Sequence, residues 1–218
     1  MFYGGICLYK LYGNAKIDCD YGHLTIGDLN GNQNSINIDY TKKSTVDYAA
    51  QLDLNADYST IQVEKAGNTS LNADYSNITF GSVSRLEYDC DYGNLNAGET
   101  GMLNGNSDYM TTVIEKLNGD GVFDMDYGSL KINSLGTDFS SLDIKSSYVR
   151  NKIGVSNVAF DITANMSYSG FKYPDGFTFN REIKNGSKKE YGGHYMNSTS
   201  GKKIVINASY GSVTFVNN

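Results

Sequence analysis

Residues 71–83 read Leu71-Asn72-Ala73-Asp74-Tyr75-Ser76-Asn77-Ile78-Thr79-Phe80-Gly81-Ser82-Val83. Leu71, Ala73 and Tyr75 alternate with Asn72 and Asp74, the period-2 pattern of a strand buried on one side. Ser76 and Asn77 interrupt the run with turn chemistry, and Ile78 and Phe80 resume it around Thr79. Gly81 and Ser82 make a second corner before Val83. A unit this short cannot bury its own apolar face, so its meaning depends on whether the chain repeats it.

It does. Aligned on the tyrosine, the anchors are Tyr21, Tyr40, Tyr58, Tyr75, Tyr92, Tyr109, Tyr127, Tyr148, Tyr168 and Tyr210, with first spacings of 19, 18, 17, 17, 17 and 18 residues. Apolar slots keep register with the anchor. Ile17, Ile36, Leu54, Leu71, Tyr88, Phe123, Ile144, Ala164 and Ile206 stand four before it, and Cys19, Ile38, Ala56, Ala73, Cys90 and Met125 two before it. Pairs such as Ile61 and Val63, Ile78 and Phe80, or Leu130 and Ile132 stand three and five after it. The polar slots are as regular. Asp20, Asp39, Asp57, Asp74, Asp91, Asp108 and Asp126 immediately precede the tyrosine, and Asp18, Asn37, Asn55, Asn72, Asp89, Asn106 and Asp124 stand three before it. A small residue such as Gly22, Ser59, Ser76 or Gly93 follows, as a tight corner demands.

A fixed period near 18 with strand alternation is the mark of a stacked array. An antiparallel meander would pair unlike slots, whereas a β-solenoid lays each slot on its equivalent about 4.8 Å above. Slot-by-slot identity therefore predicts an all-β, single-stranded β-solenoid (β-helix) of about ten coils. It is right-handed by the general rule for parallel crossovers. The expected cross-section has tyrosine rings stacked inside and Asp and Asn outside. Residues 1–173 are the repeats, and 174–203, with the only proline at Pro174, are a loop or edge-capping insertion. Residues 204–218 are a final unit of the same continuous domain, capping one end together with that insertion. Two places break the rhythm. Lys42, Lys43 and a second pair, Asp47–Tyr48, read as an insertion, and Phe139 takes a tyrosine-like slot.

The composition agrees: 218 residues include 18 tyrosines and 24 glycines but one proline and no tryptophan, and no stretch has helical periodicity. The net charge of −6 is uneven, with 20 acidic and 8 basic residues in 1–144 against 4 and 10 in 145–218. So acidic a front argues against nucleic acid, whose phosphates need a basic face. No segment approaches the ~18 apolar residues of a membrane span. The start, Met1-Phe2-Tyr3-Gly4-Gly5-Ile6-Cys7, lacks the charged-then-apolar order of a secretion signal and reads as if it began inside a repeat.

Little of the sequence carries chemistry. Cys7, Cys19 and Cys90 have no metal-type spacing. His23 and His194 have no serine or cysteine that the repeat would set beside them, and no phosphate-cradling glycine loop precedes a helix. The expectation is a protein that is not an enzyme and uses no cofactor. Asp57, Asp74 and Asp91 are the candidates for a calcium site, since stacked carboxylates repel one another and attract cations. The Gly-Asp-rich nonapeptide turns of calcium-binding solenoids are missing, which favours a structural role. Three roles remain: a surface or envelope protein binding another protein or a glycan; a polysaccharide-binding or -processing β-helix; and an ice-binding rod. The second wants arginine near the carboxylates, and Arg85, Arg150 and Arg181 recur at no fixed offset. The third wants threonine ranks, but Gln62, Asn96 and Lys131 interrupt Thr25, Thr79 and Thr214.

The unit Asn72-Ala73-Asp74-Tyr75-Ser76-x-Ile78-x-Phe80-Gly81, the segment Tyr191-Gly192-Gly193-His194-Tyr195 and the ending Ile206–Phe215 resemble a known group. It is the bacterial adhesin family of β-strand-repeat proteins related to the GIN domain, common in Bacteroidota. The resemblance covers most of the chain and implies an exported β-solenoid of the cell envelope, surface or periplasm. It supplies no catalytic residues.

Overall fold

The structure, a computed structural model, describes residues 4–155, 158–197 and 200–217. It is all-β, with 79% of the described residues in strands, wound as a β-solenoid of about eight turns with a period near 18 residues. Nine strands climb the rod in chain order: β1 (Gly5–Leu11), β2 (Lys16–Asp20), β3 (His23–Leu29), β4 (Ser35–Asp39), β5 (Ser44–Asp57), β6 (Thr60–Asp74), β7 (Asn77–Leu117), β8 (Gly121–Leu135) and β9 (Ser141–Val155). Hydrogen bonding persists around the corners, so β7 runs unbroken through Tyr92 and Tyr109. Then come β10 (Phe160–Ser167) and β11 (Gly170–Lys172), a hairpin of β12 (Phe177–Asn185) and β13 (Lys188–Tyr195), and last β14 (Lys203–Ser209) and β15 (Ser212–Asn217).

Stacking is parallel and like on like. Between β6 and β7, Ile61 lies on Ile78, Val63 on Phe80, Asn72 on Asp89, Ala73 on Cys90 and Asp74 on Asp91. Each apolar slot thereby becomes a continuous rib of the core, including Ile36, Leu54, Leu71, Phe123, Ile144 and Ile206, all at most 2% exposed. The extra residue near Lys42 is absorbed at Lys43, whose φ of 59° returns the chain to register, so that Ser44 lies on Ile61. Phe139 is not a rung of the tyrosine column; it is a fully buried core plug whose carbonyl accepts a hydrogen bond from Lys202 Nζ at 2.7 Å.

The stacking order departs from the chain order at the basic end. The last unit does not cap the rod. β14 lies between β9 and β10, parallel to both, with Ile206 on Ile144 from one side and on Ala164 from the other. β15 likewise sits between β9 and β11. The chain leaves a rung empty after β9, and its final strands fill it. The edge of β10 is covered by β13, antiparallel to it, and β12 pairs outside β13. Part of the 174–203 segment is thus a hairpin that pairs with the β10 edge and leaves β12 as the outermost strand of the sheet. Phe160, Phe171, Phe177, Phe179, Tyr191 and Tyr195 pack beneath it as an aromatic lid, with centroids 4.7–6.1 Å apart.

At the other end, Leu8, Leu11, Ile17 and Cys19 are only partly buried, whereas Leu24, Ile26, Leu29, Ile36 and Ile38 one coil further are 0–1% exposed.

Candidate functional site

All ten anchor tyrosines have a left-handed backbone, with φ between 49° and 57°. For a bulky residue that conformation costs roughly 1–2 kcal/mol, and its use at every coil marks a designed corner. The corner is closed across coils: the N–H of Tyr58 donates to the carbonyl of Asp74 and that of Tyr75 to the carbonyl of Asp91, both at 2.9 Å. The left-handed step also shifts the alternation by one residue. Strict period 2 carries the tyrosine inward behind Leu71 and Ala73. Instead the residue after it points in, and Ser59 and Ser76 are 2% exposed. Their hydroxyls knit the corner: Ser76 Oγ donates to the Ala56 carbonyl at 2.7 Å and accepts from the Ser59 N–H at 2.9 Å.

The expectation of rings lining the interior is therefore overturned. Tyr21, Tyr40, Tyr58, Tyr75, Tyr92, Tyr109, Tyr127, Tyr148, Tyr210 and Tyr168, in that spatial order, form one unbroken column on the outside of the rod, each 43–63% exposed. Consecutive centroids are 4.8–5.0 Å apart and ring planes lie within 8°. Such parallel, offset stacking contributes about 0.5–1.5 kcal/mol per pair when well packed, and the low end suits half-exposed rings. The neighbours also shield the phenols. Tyr40 and Tyr92 are held above the ordinary tyrosine range, first by desolvation and then by adjacent tyrosines and aspartates.

Beside the column runs the aspartate rank. Asp57, Asp74 and Asp91 do not converge on a common centre. Each lends its Oδ1 to the backbone N–H of the aspartate one coil on: Asp57 to Asp74 at 3.1 Å, Asp74 to Asp91 at 3.2 Å and Asp91 to Asp108 at 2.9 Å. Among the described residues no three His, Cys, Asp or Glu side chains gather as a metal site. The carboxylates thus act as corner braces. Asp74 and Asp108 are raised above the usual carboxylate range, by desolvation first and then by repulsion within the rank; the Asp91 N–H pulls Asp74 the other way. A raised native value means that these groups contribute most below the unfolded value near 3.8 and lose that contribution as pH rises through the native one. Asparagine keeps the acceptor and removes the charge. Replacing Asp57, Asp74 and Asp91 by Asn is expected to leave Tm at pH 7 unchanged or higher by no more than about 3 °C, equally in EDTA and in millimolar calcium. A calcium-dependent Tm rise in the parent that vanishes in the variant would restore the cation reading.

Further out, Asn106 Nδ2 donates to Asp89 at 3.0 Å, Lys145 Nζ to Asp124 at 2.7 Å and Asn165 Nδ2 to Asn207 at 2.9 Å. At the basic end this face changes character, because Ser147, Ser209 and Ser167 replace aspartate before the tyrosine. There the hairpin helps to form a cleft of about 700 Å³, lined among others by Asp124, Asp126, Lys145, Asn165, Lys188 and Lys189. Most of its lining residues carry polar groups, although carbon atoms make up much of the exposed wall, and the Lys145–Asp124 ion pair stands at its side.

The inward slot that the repeat assigns to Tyr88 buries a polar group as well as a ring. Tyr88 is 3% exposed, and its phenol lies close to the buried hydroxyls of Ser107 and Thr112 without a hydrogen bond of good geometry among the described residues. Burial pushes this phenol up to about 12, against the pull of Thr112 and Ser107. The Cys90 thiol, also pushed up to about 12 by burial, is core filler, and all three cysteines are free thiols.

No family model, curated protein or solved structure matches this chain.

Proposed function

We propose that this chain is a non-enzymatic, exported envelope or cell-surface β-solenoid, an adhesin-like protein that binds through its long ordered face. The observation that carries this reading is the exposed column of ten stacked tyrosines with its flanking carboxylate and amide ranks. Aromatic side chains are the residues most enriched where protein surfaces meet partners, and here they stand preordered, so little entropy is lost on contact. The resemblance of the repeat consensus to GIN-related adhesin repeats points the same way.

A second reading, polysaccharide binding, draws on the cleft beside the hairpin, whose walls combine aspartate, lysine and asparagine side chains with exposed carbon. Glycan arrays combined with a reducing-sugar release assay test both readings. Expected is glycan or surface binding without sugar release, reduced at least tenfold when Tyr58, Tyr75 and Tyr92 are together replaced by Phe, which keeps the rings and removes their hydroxyls. Loss of binding only on Lys188→Ala with Lys189→Ala would move the site to the cleft, and sugar release would end the non-enzymatic reading.

A further inference from the structure

We propose that the tyrosine corner is an oxidative cross-linking site, at which a one-electron phenol oxidant such as a haem peroxidase with hydrogen peroxide joins neighbouring rungs as dityrosine. The inference goes beyond the binding role and does not depend on it. Four observations carry it. The phenols are exposed, so an oxidant reaches them. Each ring has a parallel neighbour at 4.8–5.0 Å, displaced by one coil step, so equivalent ring carbons of adjacent rungs face each other. The column is continuous, so a radical formed on any rung already has a coupling partner beside it. And the side chains stand on an outer corner, where rotation about the side-chain bonds closes the remaining gap without disturbing the core.

The chemistry balances within the column. Each of two neighbouring phenols gives one electron to the oxidant and its hydroxyl proton to solvent. The two phenoxyl radicals couple through a ring carbon ortho to each oxygen, forming one carbon–carbon bond. The hydrogen on each coupled carbon then passes through solvent to its phenolic oxygen, which restores both aromatic rings. The pair has lost two electrons and two protons, and these reduce one hydrogen peroxide to two waters.

Proximity decides which tyrosines react together. Tyr9 and Tyr12 are the most exposed of the described tyrosines, at 88% and 79%, but neither stacks on another described ring, so the links expected of them are to another molecule. Neighbours in the column are held at an effective concentration far above that of dilute protein, which favours links within one chain.

The test is limited oxidation of the full chain at low micromolar concentration by horseradish peroxidase and hydrogen peroxide, followed by intact mass and peptide mapping. Expected are monomers lighter by two hydrogen atoms per link, with links only between stack neighbours. Tyr58–Tyr75 is one, and Tyr210 joined to both Tyr148 and Tyr168 is the most telling. Tyr92→Phe keeps the ring, the fold by circular dichroism and the Tyr58–Tyr75 link, and removes links at rung 92. Dityrosine confined to covalent dimers through Tyr9 or Tyr12, or the same link pattern in urea-unfolded protein, would overturn the proposal. So would oxidation of exposed tyrosines with no dityrosine at all.

Discussion

Removing residues 203–218 is expected to unravel the basic end of the rod, from β9 onward, while the acidic coils stay folded. Of the deleted strands, β14 lies between β9 and β10 and β15 between β9 and β11, each hydrogen-bonded to both neighbours. Their loss takes Ile204, Ile206, Val213 and Phe215, each at most 2% exposed, out of the core. At about 1.5–3 kcal/mol per buried large side chain, the gross loss is on the order of 6–12 kcal/mol. It also uncovers the apolar ribs of β9 and β10. Because coils contact only their neighbours, the damage is local rather than global. Hydrogen exchange is the measurement: protection should vanish across 160–195 and persist across 60–117. Retained protection in 160–195 would mean that β10 can settle directly on β9, and that the inserted unit is dispensable.

The second large effect separates two opposing contributions at the corner. Tyr75 stacks on Tyr58 at 4.9 Å and on Tyr92 at 4.8 Å. Tyr75→Ala removes both contacts yet keeps a Cβ on a backbone at φ 53°. The expected cost is about 1–3 kcal/mol from two stacking pairs. Tyr75→Gly removes the same contacts but relieves the left-handed strain, worth about 1–2 kcal/mol. Glycine should therefore be more stable than alanine by about 1 kcal/mol, the reverse of their order within an ordinary strand. Urea denaturation of both variants measures it. Equal stabilities, or alanine the more stable, would show that the corner carries no strain for the stack to offset.

How much of this was legible beforehand follows from what a single coil can encode. The ribs of Leu54, Leu71 and Ile144, the parallel like-on-like register and the period are properties of one repeat compared with the next, and the alternation displays them directly. The direction of the tyrosines is a property of one dihedral angle. Residues up to Asp74 alternate strictly, and nothing in the letters announces that Tyr75 takes the left-handed step that reverses the phase; the buried, hydroxyl-bearing Ser59 and Ser76 after it are the clue that was available. The position of the last unit was unreadable for the opposite reason. Its slots match every other coil so well that it fits between any two, and only the hairpin that precedes it sends it back down. Complementarity between coils was hidden as well. The Tyr88 ring occupies space that Gly105 leaves on the next coil, and a Cβ at Gly105 would collide with it. Neither residue is unusual until they are stacked.

The candidate site divides the same way. The ten tyrosines and the aspartates beside them could be picked out by number, because each recurs at a fixed offset. That Asp57, Asp74 and Asp91 brace backbone amides rather than gather round a cation depends on coil-to-coil hydrogen bonds, which no linear pattern records. The cleft depends on Lys188 and Lys189 of β13 returning beside Asp124 and Lys145, residues more than 40 positions earlier in the chain.

The placement of β14 and β15 has a consequence for biosynthesis. A linear stack can wind up rung by rung as it leaves the ribosome, but here a vacancy must be held open while the aromatic hairpin is made. The strands that fill it, β14 and β15, are translated only after that hairpin, so the basic end cannot close until both have emerged. Until then the nascent rod carries an unfilled slot, bridged on neither side, that any strand of similar pattern could enter by mistake.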